Sequence, residues 1–436
     1  MRESIASRFG FLMLAAGCAV GLGNVWRFPF IVGRNGGGAF VLLYLVFLAL
    51  LGFPLLVGEL AIGRGARLGI ASALKSLANG ARARMWGVLG LVIFAGNFVL
   101  MIYYTDVAGW LADYAVKYAA ATIPSGDFPS LFASLVGDRF TCTVSMAAVV
   151  AVSTAVCALG VVKGVERVAK VLMVSLLALL GILAAKAATL PGAAEGLRFY
   201  LVPDWARFIQ HPWRAVMEAM GQAFFTLSLG IGCMTIFGSY TSREHSLGKE
   251  ALYIIVIDTF VALLAGAIIF PACLSYGIEP SAGPGLIFTA MPEVFAQMDF
   301  GRFWGFLFFL FLAFAAFTTI IAVFECLIGG LIDAIGMTRK TASLVTGVGV
   351  AFASLPCVLF DGVLDVEDFA VSQLWLPLGA LAQAAFISLP SGWGFEAFLA
   401  EANAGRGLKL PRALKWHLAY IVPALIAIVI ATGIAS

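Results

Sequence analysis

Apolar residues along this chain do not alternate with polar ones; they run on for the length of a bilayer crossing, break briefly, and start again. Such runs occupy 9–33, 39–62, 86–118, 141–160, 165–187, 214–239, 249–277, 302–331, 341–358, 369–389 and 414–434. At a rise of about 1.5 Å per residue, each is long enough to cross a hydrocarbon core of about 30 Å as a helix. Strands of a membrane barrel would alternate within segments of about ten residues, which these runs do not. The pattern therefore predicts an all-α integral membrane protein with eleven transmembrane helices. The first run lacks a small-residue cleavage site and is read as a retained helix, not a signal peptide.

Two of the runs carry interruptions. The first contains "GCAVGLGNVWRFPF", Gly17 to Phe30, and the sixth contains "GQAFFTLSLGIGCMTIFGSY", Gly221 to Tyr240. Glycines at this spacing also suit helix–helix packing. Asn24, Arg27, Thr226 and Ser228, however, cost free energy in hydrocarbon, about 2.5–3.5 kcal/mol for an arginine, unless they face a cavity or a partner. The expectation is that helices 1 and 6 unwind at the glycines. Bared amides and half-helix N-termini suit a carboxylate, and bared carbonyls suit Na⁺. Five spans separate the interruptions, and five is odd. A repeat of 9–187 by 214–390 thus enters the membrane upside down, with 414–434 as an extra helix, all within one domain of 1–436.

Composition agrees. Hydrophobic residues make up 62% and charged residues 12% of the 436, against roughly 45–50% and 25% in soluble domains. The longest polar gap, Thr189 to Pro212, is too short for a soluble domain. Basic residues cluster on one side, with Arg64, Arg67, Lys75, Arg82 and Arg84 in an acid-free loop, while Asp361, Asp365, Glu367 and Asp368 mark the other side. The N-terminus is expected in the cytoplasm and the C-terminus outside, and the net charge of +3 is a topology signal, not evidence for nucleic acid. The seven cysteines lie in or at the ends of apolar runs without a CxxC, and read as small core residues. The three histidines, His211, His245 and His417, sit in separate loops. No enzyme motif and no organic cofactor is indicated.

The segments "AVGLGNVWRFPF", "NGGGAFVLLY", "QAFFTLSLGIG" and "AAFTTIIAVFE" resemble the hallmark stretches of the neurotransmitter:sodium symporter family, whose bacterial members include the leucine transporter LeuT. The resemblance covers spans 1–10. It implies a LeuT-like 5+5 inverted repeat in a bacterial cytoplasmic membrane. It also implies two bound Na⁺, the first held by the Ala19 carbonyl, Asn24, Thr226 and Asp258 with the substrate carboxylate. The second would take carbonyls of Gly17, Val20 and Ala315 and the hydroxyls of Thr318 and Thr319. All-oxygen ligation suits a hard cation, although a threonine pair also reads as hydroxyls bonding back within their own helix.

For the substrate, the resemblance implies Ala19, Gly21, Leu22, Gly23, Leu100, Tyr104, Phe225, Thr226, Ser228, Ile231, Thr319, Ile320 and Val323, with Leu22, Gly23 and Tyr104 on the carboxylate. Gly21 stands where monoamine-carrying members have an aspartate, so a neutral, hydrophobic amino acid is expected. Ile320, bulkier than the serine of the leucine transporter, argues against the largest aromatic ones. Asp258 replaces an asparagine of that transporter, and Ala262 replaces both its glutamate and the serine of chloride-dependent members. This implies chloride-independent transport, with proton counter-transport through Asp258 as a further expectation. Arg27 and Asp368 match an outer gate, and Arg2 and Asp333, with Tyr240 and Ser239 nearby, match an inner one. Ile5 replaces a frequent tryptophan there. Tyr44 and Gln222 match the edge of the first sodium region, Glu59 and Glu325 match networking acids, and Asp106 has no counterpart. The expected activity is sodium-coupled import by alternating access, without an obligate protein partner. Proton-coupled transport and a non-transporting amino acid sensor are the alternatives.

Overall fold

The computed structural model describes residues 5–123, 126–279 and 283–435. Among them all regular structure is helical, with isolated β-bridges only at Gly37–Pro203 and His245–Arg406. Helix α1 (Arg8–Ala19) starts at Ser7, whose hydroxyl accepts the Gly10 amide at 3.0 Å, the expected use of a serine N-cap. The buried Glu166 carboxylate receives the Ala6 amide at 2.8 Å and the Ser7 hydroxyl at 3.1 Å, so an acid sits where a helix N-terminus is positive. Helix α2 (Gly23–Arg34) follows after a break, bent by 55° from α1.

The remaining crossing elements are α3 (Gly38–Ala66), α4 (Ala83–Ala120), α5 (Arg139–Ala158), α6 (Val161–Ala187), α7 (Pro212–Thr226), α8 (Cys233–Tyr240), α9 (Leu247–Ser275), α10 (Gly301–Ile335), α11 (Arg339–Leu359), α12 (Val363–Ser388) and α13 (Leu414–Ala431). Among the described residues, nine helices are long and apolar enough to cross a membrane, or ten with α1 and α2 as one span, against the eleven expected. The difference lies in the sixth run. Between α7 and α8 the chain passes through six residues of turn, with positive φ at Ser228 (50°), Gly230 (96°) and Gly232 (72°), so neither piece is long enough alone.

Hydropathy also passed over short helices at Ile70–Leu77, Phe128–Gly137, Ala193–Leu201, Ala290–Gln297 and Phe395–Ala402. They are too brief to cross, and Ala193–Leu201 lies inside the gap read as polar. Outward faces of α5, α6 and α11 expose Val144, Val171 and Phe352, as suits a surface bathed in acyl chains. At the mouth of α5, the Thr141 hydroxyl and amide donate to Asp138 and hold its carboxyl below the usual carboxylate range.

The interior packs α4 against α10, α8 against α3, and α1 between α6, α9 and α10. One arginine among the described residues is completely enclosed. Arg64, with no exposed surface, donates to Glu401 at 2.8 Å and to the His245 and Ser242 carbonyls, and Glu401 also accepts from Arg243. Breaking such a pair strands a buried charge, so the end of α3, the segment after α8 and helix Phe395–Ala402 are held as one body.

A candidate ion and solute site at two helix breaks

The α1 hydrogen-bond ladder ends with the Val20 amide on the Ala16 carbonyl at 2.7 Å, after which Val20 turns extended (ψ 98°). The next amides then find side chains. Gly21 donates to Asn24 Oδ1 at 3.1 Å and Leu22 to the Tyr104 hydroxyl at 3.1 Å. The carbonyls so released are taken up from other helices: Ser228 Oγ donates to Cys18 O at 3.2 Å, and the Thr319 hydroxyl lies 3.4 Å from Gly17 O, 3.3 Å from Val20 O and 3.3 Å from Ala315 O. Thr318 donates to Ala315 O at 2.8 Å, a bond within its own helix. Gly17, Val20, Ala315, Thr318 and Thr319 therefore converge, with one hydroxyl facing three carbonyls.

A second oxygen-rich cluster lies alongside. Asn24 Nδ2 donates to Asp258 Oδ1 at 2.8 Å, to the Asp258 carbonyl at 3.1 Å and to Thr226 Oγ1 at 3.2 Å, and Thr226 donates to Asp258 Oδ2 at 2.9 Å. All three residues are buried, and among the described residues no cationic side chain bonds to the Asp258 carboxylate. A buried carboxylate met only by neutral donors is under-compensated, which is what a cation-binding cluster requires. Nearby, Gln222 donates to the Gly23 carbonyl at 2.9 Å, while its own Oε1 is buried without a hydrogen-bond partner among the described residues.

Between the two breaks lies a cavity of about 20 Å³ lined by Cys18, Ala19, Gly21, Gly23, Leu100, Tyr104, Phe225, Ser228, Ile231, Thr319 and Leu376. That volume is of the order of one or two waters, so an amino acid enters only when the walls part. Leu22 reaches Tyr104 at its edge, and Thr226 belongs to the neighbouring polar cluster. Ile320 and Val323 are buried in α10 and are not among the residues lining the cavity as it stands. Cys18 and Leu376 line it without having been anticipated. Leu376 carries no sequence signal, being one leucine in an apolar helix. A Cβ on Gly21 would stand 2.7 Å from both Thr319 Oγ1 and Tyr104 Oη, leaving no room for a longer side chain.

The second break is braced from outside. Glu59 Oε1 accepts the Gly230 amide at 2.7 Å and Gln383 at 2.9 Å, and Asn97 donates to the Ile231 carbonyl at 2.6 Å. Asn97 and Gln383 were not singled out from the sequence, though a lone amide in an apolar run is itself a signal.

The expected outer ion pair is not made. Arg27 lies over the Phe225 ring, 4.6 Å from its centroid, and Asp368 accepts from Tyr103 at 2.9 Å and Ser372 at 3.1 Å. The arginine thus covers the aromatic lid of the cavity while the acid is held by α4 and its own helix. Of the residues expected at the inner gate, Asp333 accepts the Gly69 amide at 2.7 Å, and Arg2 lies outside the described residues. Tyr240 donates to Glu325 at 2.5 Å, and Glu325 pairs with Arg339 at 2.8 Å; Arg67 donates to the Ser239 carbonyl at 3.2 Å. Asp106 is buried, and its Oδ1 has no hydrogen-bond partner among the described residues.

The chain matches the sodium:neurotransmitter symporter family over residues 2–134 and 133–436. It belongs to that family. Membership makes it a sodium-dependent multi-pass membrane transporter. It is 36% identical over 440 residues to the sodium-dependent transporter YhdH of Bacillus subtilis, covering 97% of this chain and 96% of that one. It is 30% identical over 419 residues to the sodium-dependent serotonin transporter of Drosophila melanogaster, covering 84% of this chain and 66% of that one. Among solved structures, MhsT in complex with L-phenylalanine superposes with a TM-score of 0.88 at 35% identity, over 99% of this chain and all of that one. The symporter's fold is thus that of a LeuT-like transporter.

Proposed function

We propose that this symporter imports a neutral, hydrophobic amino acid with two Na⁺ by alternating access, without chloride. The observation that carries the reading is the set of exchangeable hydrogen bonds at the first break. The Leu22 amide and the Tyr104 hydroxyl, 3.1 Å apart, bond to each other and are both free to turn to a carboxylate. The Gly17, Val20 and Ala315 carbonyls that the Thr319 hydroxyl faces would, with the hydroxyls of Thr318 and Thr319, hold the second sodium. The first sodium would be held by Asp258, Thr226, the Ala19 carbonyl and Asn24, whose amide must turn over to offer its oxygen in place of its nitrogen.

Coupling follows from charge. Among the described residues Asp258 meets only neutral donors, so a cation is favoured beside it, and the solute carboxylate would complete the shell. Because Asp258 supplies the negative charge and Ala262 no polar group, an added anion is superfluous. Uptake then requires that sodium and solute together favour closure more than either alone. The lining is uncharged, and the crowding around Gly21 excludes an amine-pairing side chain, which favours a neutral solute carrying its own carboxylate. The phenylalanine bound to MhsT is such a solute. The proposed topology has eleven crossings, counting α1 with α2 and α7 with α8 as one each, in a 5+5 inverted repeat with a cytoplasmic N-terminus.

Proteoliposomes test this. Labelled neutral amino acid is expected to accumulate under an inward sodium gradient and to do so equally with gluconate in place of chloride. Saturable binding without accumulation would instead identify a sensor, and accumulation driven by a proton gradient alone would overturn the sodium coupling.

A further inference from the structure

Three of the seven cysteines meet where the two interrupted helices approach each other. Cys18 is on the last turn of α1, Cys233 is the first residue of α8, and Cys326 faces them from α10. Cys18 Sγ lies 3.3 Å from Cys233 Sγ. Cys233 also points at the Ala322 carbonyl at 3.8 Å, and Cys326 at the Gly232 carbonyl at 3.8 Å. All three are free and buried. The reading of these thiols as unconnected core residues misses this cluster because 215 positions separate Cys18 from Cys233.

We propose that Cys18 and Cys233 form an oxidisable pair whose disulfide staples α1 to α8 and halts transport. Buried thiols are ordinarily inert for want of access and of thiolate. Cys18, however, lines the solute cavity, so the same opening that admits solute also admits water and small oxidants to its sulfur. A peroxide is the chemical class that fits. The Cys18 sulfur attacks one peroxide oxygen, the O–O bond breaks, and Cys18 becomes a sulfenic acid with release of water. Cys233 then displaces the sulfenic oxygen as a second water, its thiol proton leaving with it, and the S–S bond closes. Two thiols are oxidised and one peroxide is reduced. The bond length of about 2.05 Å asks the sulfurs to approach by roughly 1 Å.

The staple acts at a mechanical junction. Both α1 and α8 run inward from the breaks, α8 ending at Tyr240 beside Glu325 and α1 beginning at Glu166. Linking their tips keeps the cavity from opening between them. This consequence for turnover rests on the transport reading above, whereas formation of the bond does not.

The experiment treats the full chain in proteoliposomes with hydrogen peroxide, blocks remaining thiols, and maps cross-links by mass spectrometry. A Cys18–Cys233 linked peptide, two hydrogens lighter than its reduced parts, is expected. Sodium-driven uptake should fall in proportion to the fraction linked and return with dithiothreitol. C326S should still form the link. C233S should not: its Cys18 should be recovered as sulfenic or over-oxidised sulfur, and its Tm should not rise on treatment as that of the linked wild type does. Recovery of wild-type Cys18 unlinked or over-oxidised, with no Cys18–Cys233 peptide, overturns the pairing, and complete linkage with unchanged uptake overturns the arrest. If untreated protein carries no solute, the transport reading fails separately, and the cross-link map together with a rise in Tm on oxidation still decides the staple.

Discussion

The two helix breaks solve the same problem in opposite ways. At residues 17–22 the released groups bond to Asn24, Tyr104, Ser228 and Thr319, all of which face the cavity or the polar cluster beside it. At residues 227–232 the backbone adopts positive φ at alternate positions and is tied to Glu59 and Asn97 on neighbouring helices. Gly230 is pressed so closely on α12 that an added Cβ would lie 1.9 Å from the Leu376 carbonyl. The first break is held by partners that a ligand can displace, and the second by partners that no ligand reaches. One is a binding device and the other a rigid abutment.

Substitutions at the abutment should therefore cost the fold, and those at the binding device should cost affinity. The largest effect is expected for Gly230→Ala, where left-handed backbone and a clash with main chain combine to cost more than about 4 kcal/mol. Thermal unfolding in detergent should show a much lower Tm, and a folded variant of ordinary Tm would remove the distinction between the breaks. Next is Asp258→Ala, which strips the charge from the first sodium cluster. Sodium affinity should fall a hundredfold or more, on the order of the 3–5 kcal/mol lost when a buried charge pair is halved, with little change in Tm. A sodium titration of solute binding measures it.

Tyr104→Phe should weaken solute binding by roughly 10- to 100-fold, the worth of a hydrogen bond to a charged group, at unchanged stability. Equal affinity for wild type and variant would mean that the carboxylate is held elsewhere. The smallest effect is expected at the second break for Glu59→Gln, which keeps the shape but not the charge that receives the Gly230 amide. Stability should fall by about 1–2 kcal/mol while sodium and solute constants, measured on the folded fraction, stay within a factor of about two. A selective loss of affinity in that variant would make both breaks parts of one ligand site.

Much of this was legible without coordinates. The spans follow from uninterrupted apolar length, and the breaks from glycine and polar residues in the middle of such length. The cluster of Asn24, Thr226 and Asp258 was accessible through a family resemblance, since nothing in spacing links residues more than 200 positions apart. The supports were less visible. Asn97 and Gln383 each look like a single polar residue in an apolar run, and their task appears only when the second break is seen to offer the Ile231 carbonyl and, through Glu59, the Gly230 amide. Arg27 marks another limit, because a sequence gives its charge but not its choice between an acid and an aromatic face.

What the chain by itself determined is where it must be helical and where it cannot stay so, because hydrocarbon leaves the backbone no partner but itself and glycine-rich polar stretches forfeit that partner. Tertiary structure alone decided who replaces the lost hydrogen bonds. That choice depends on which side chains three-dimensional packing brings within about 3 Å of a bared amide or carbonyl, and on this scale the order of residues along the chain carries no distance information.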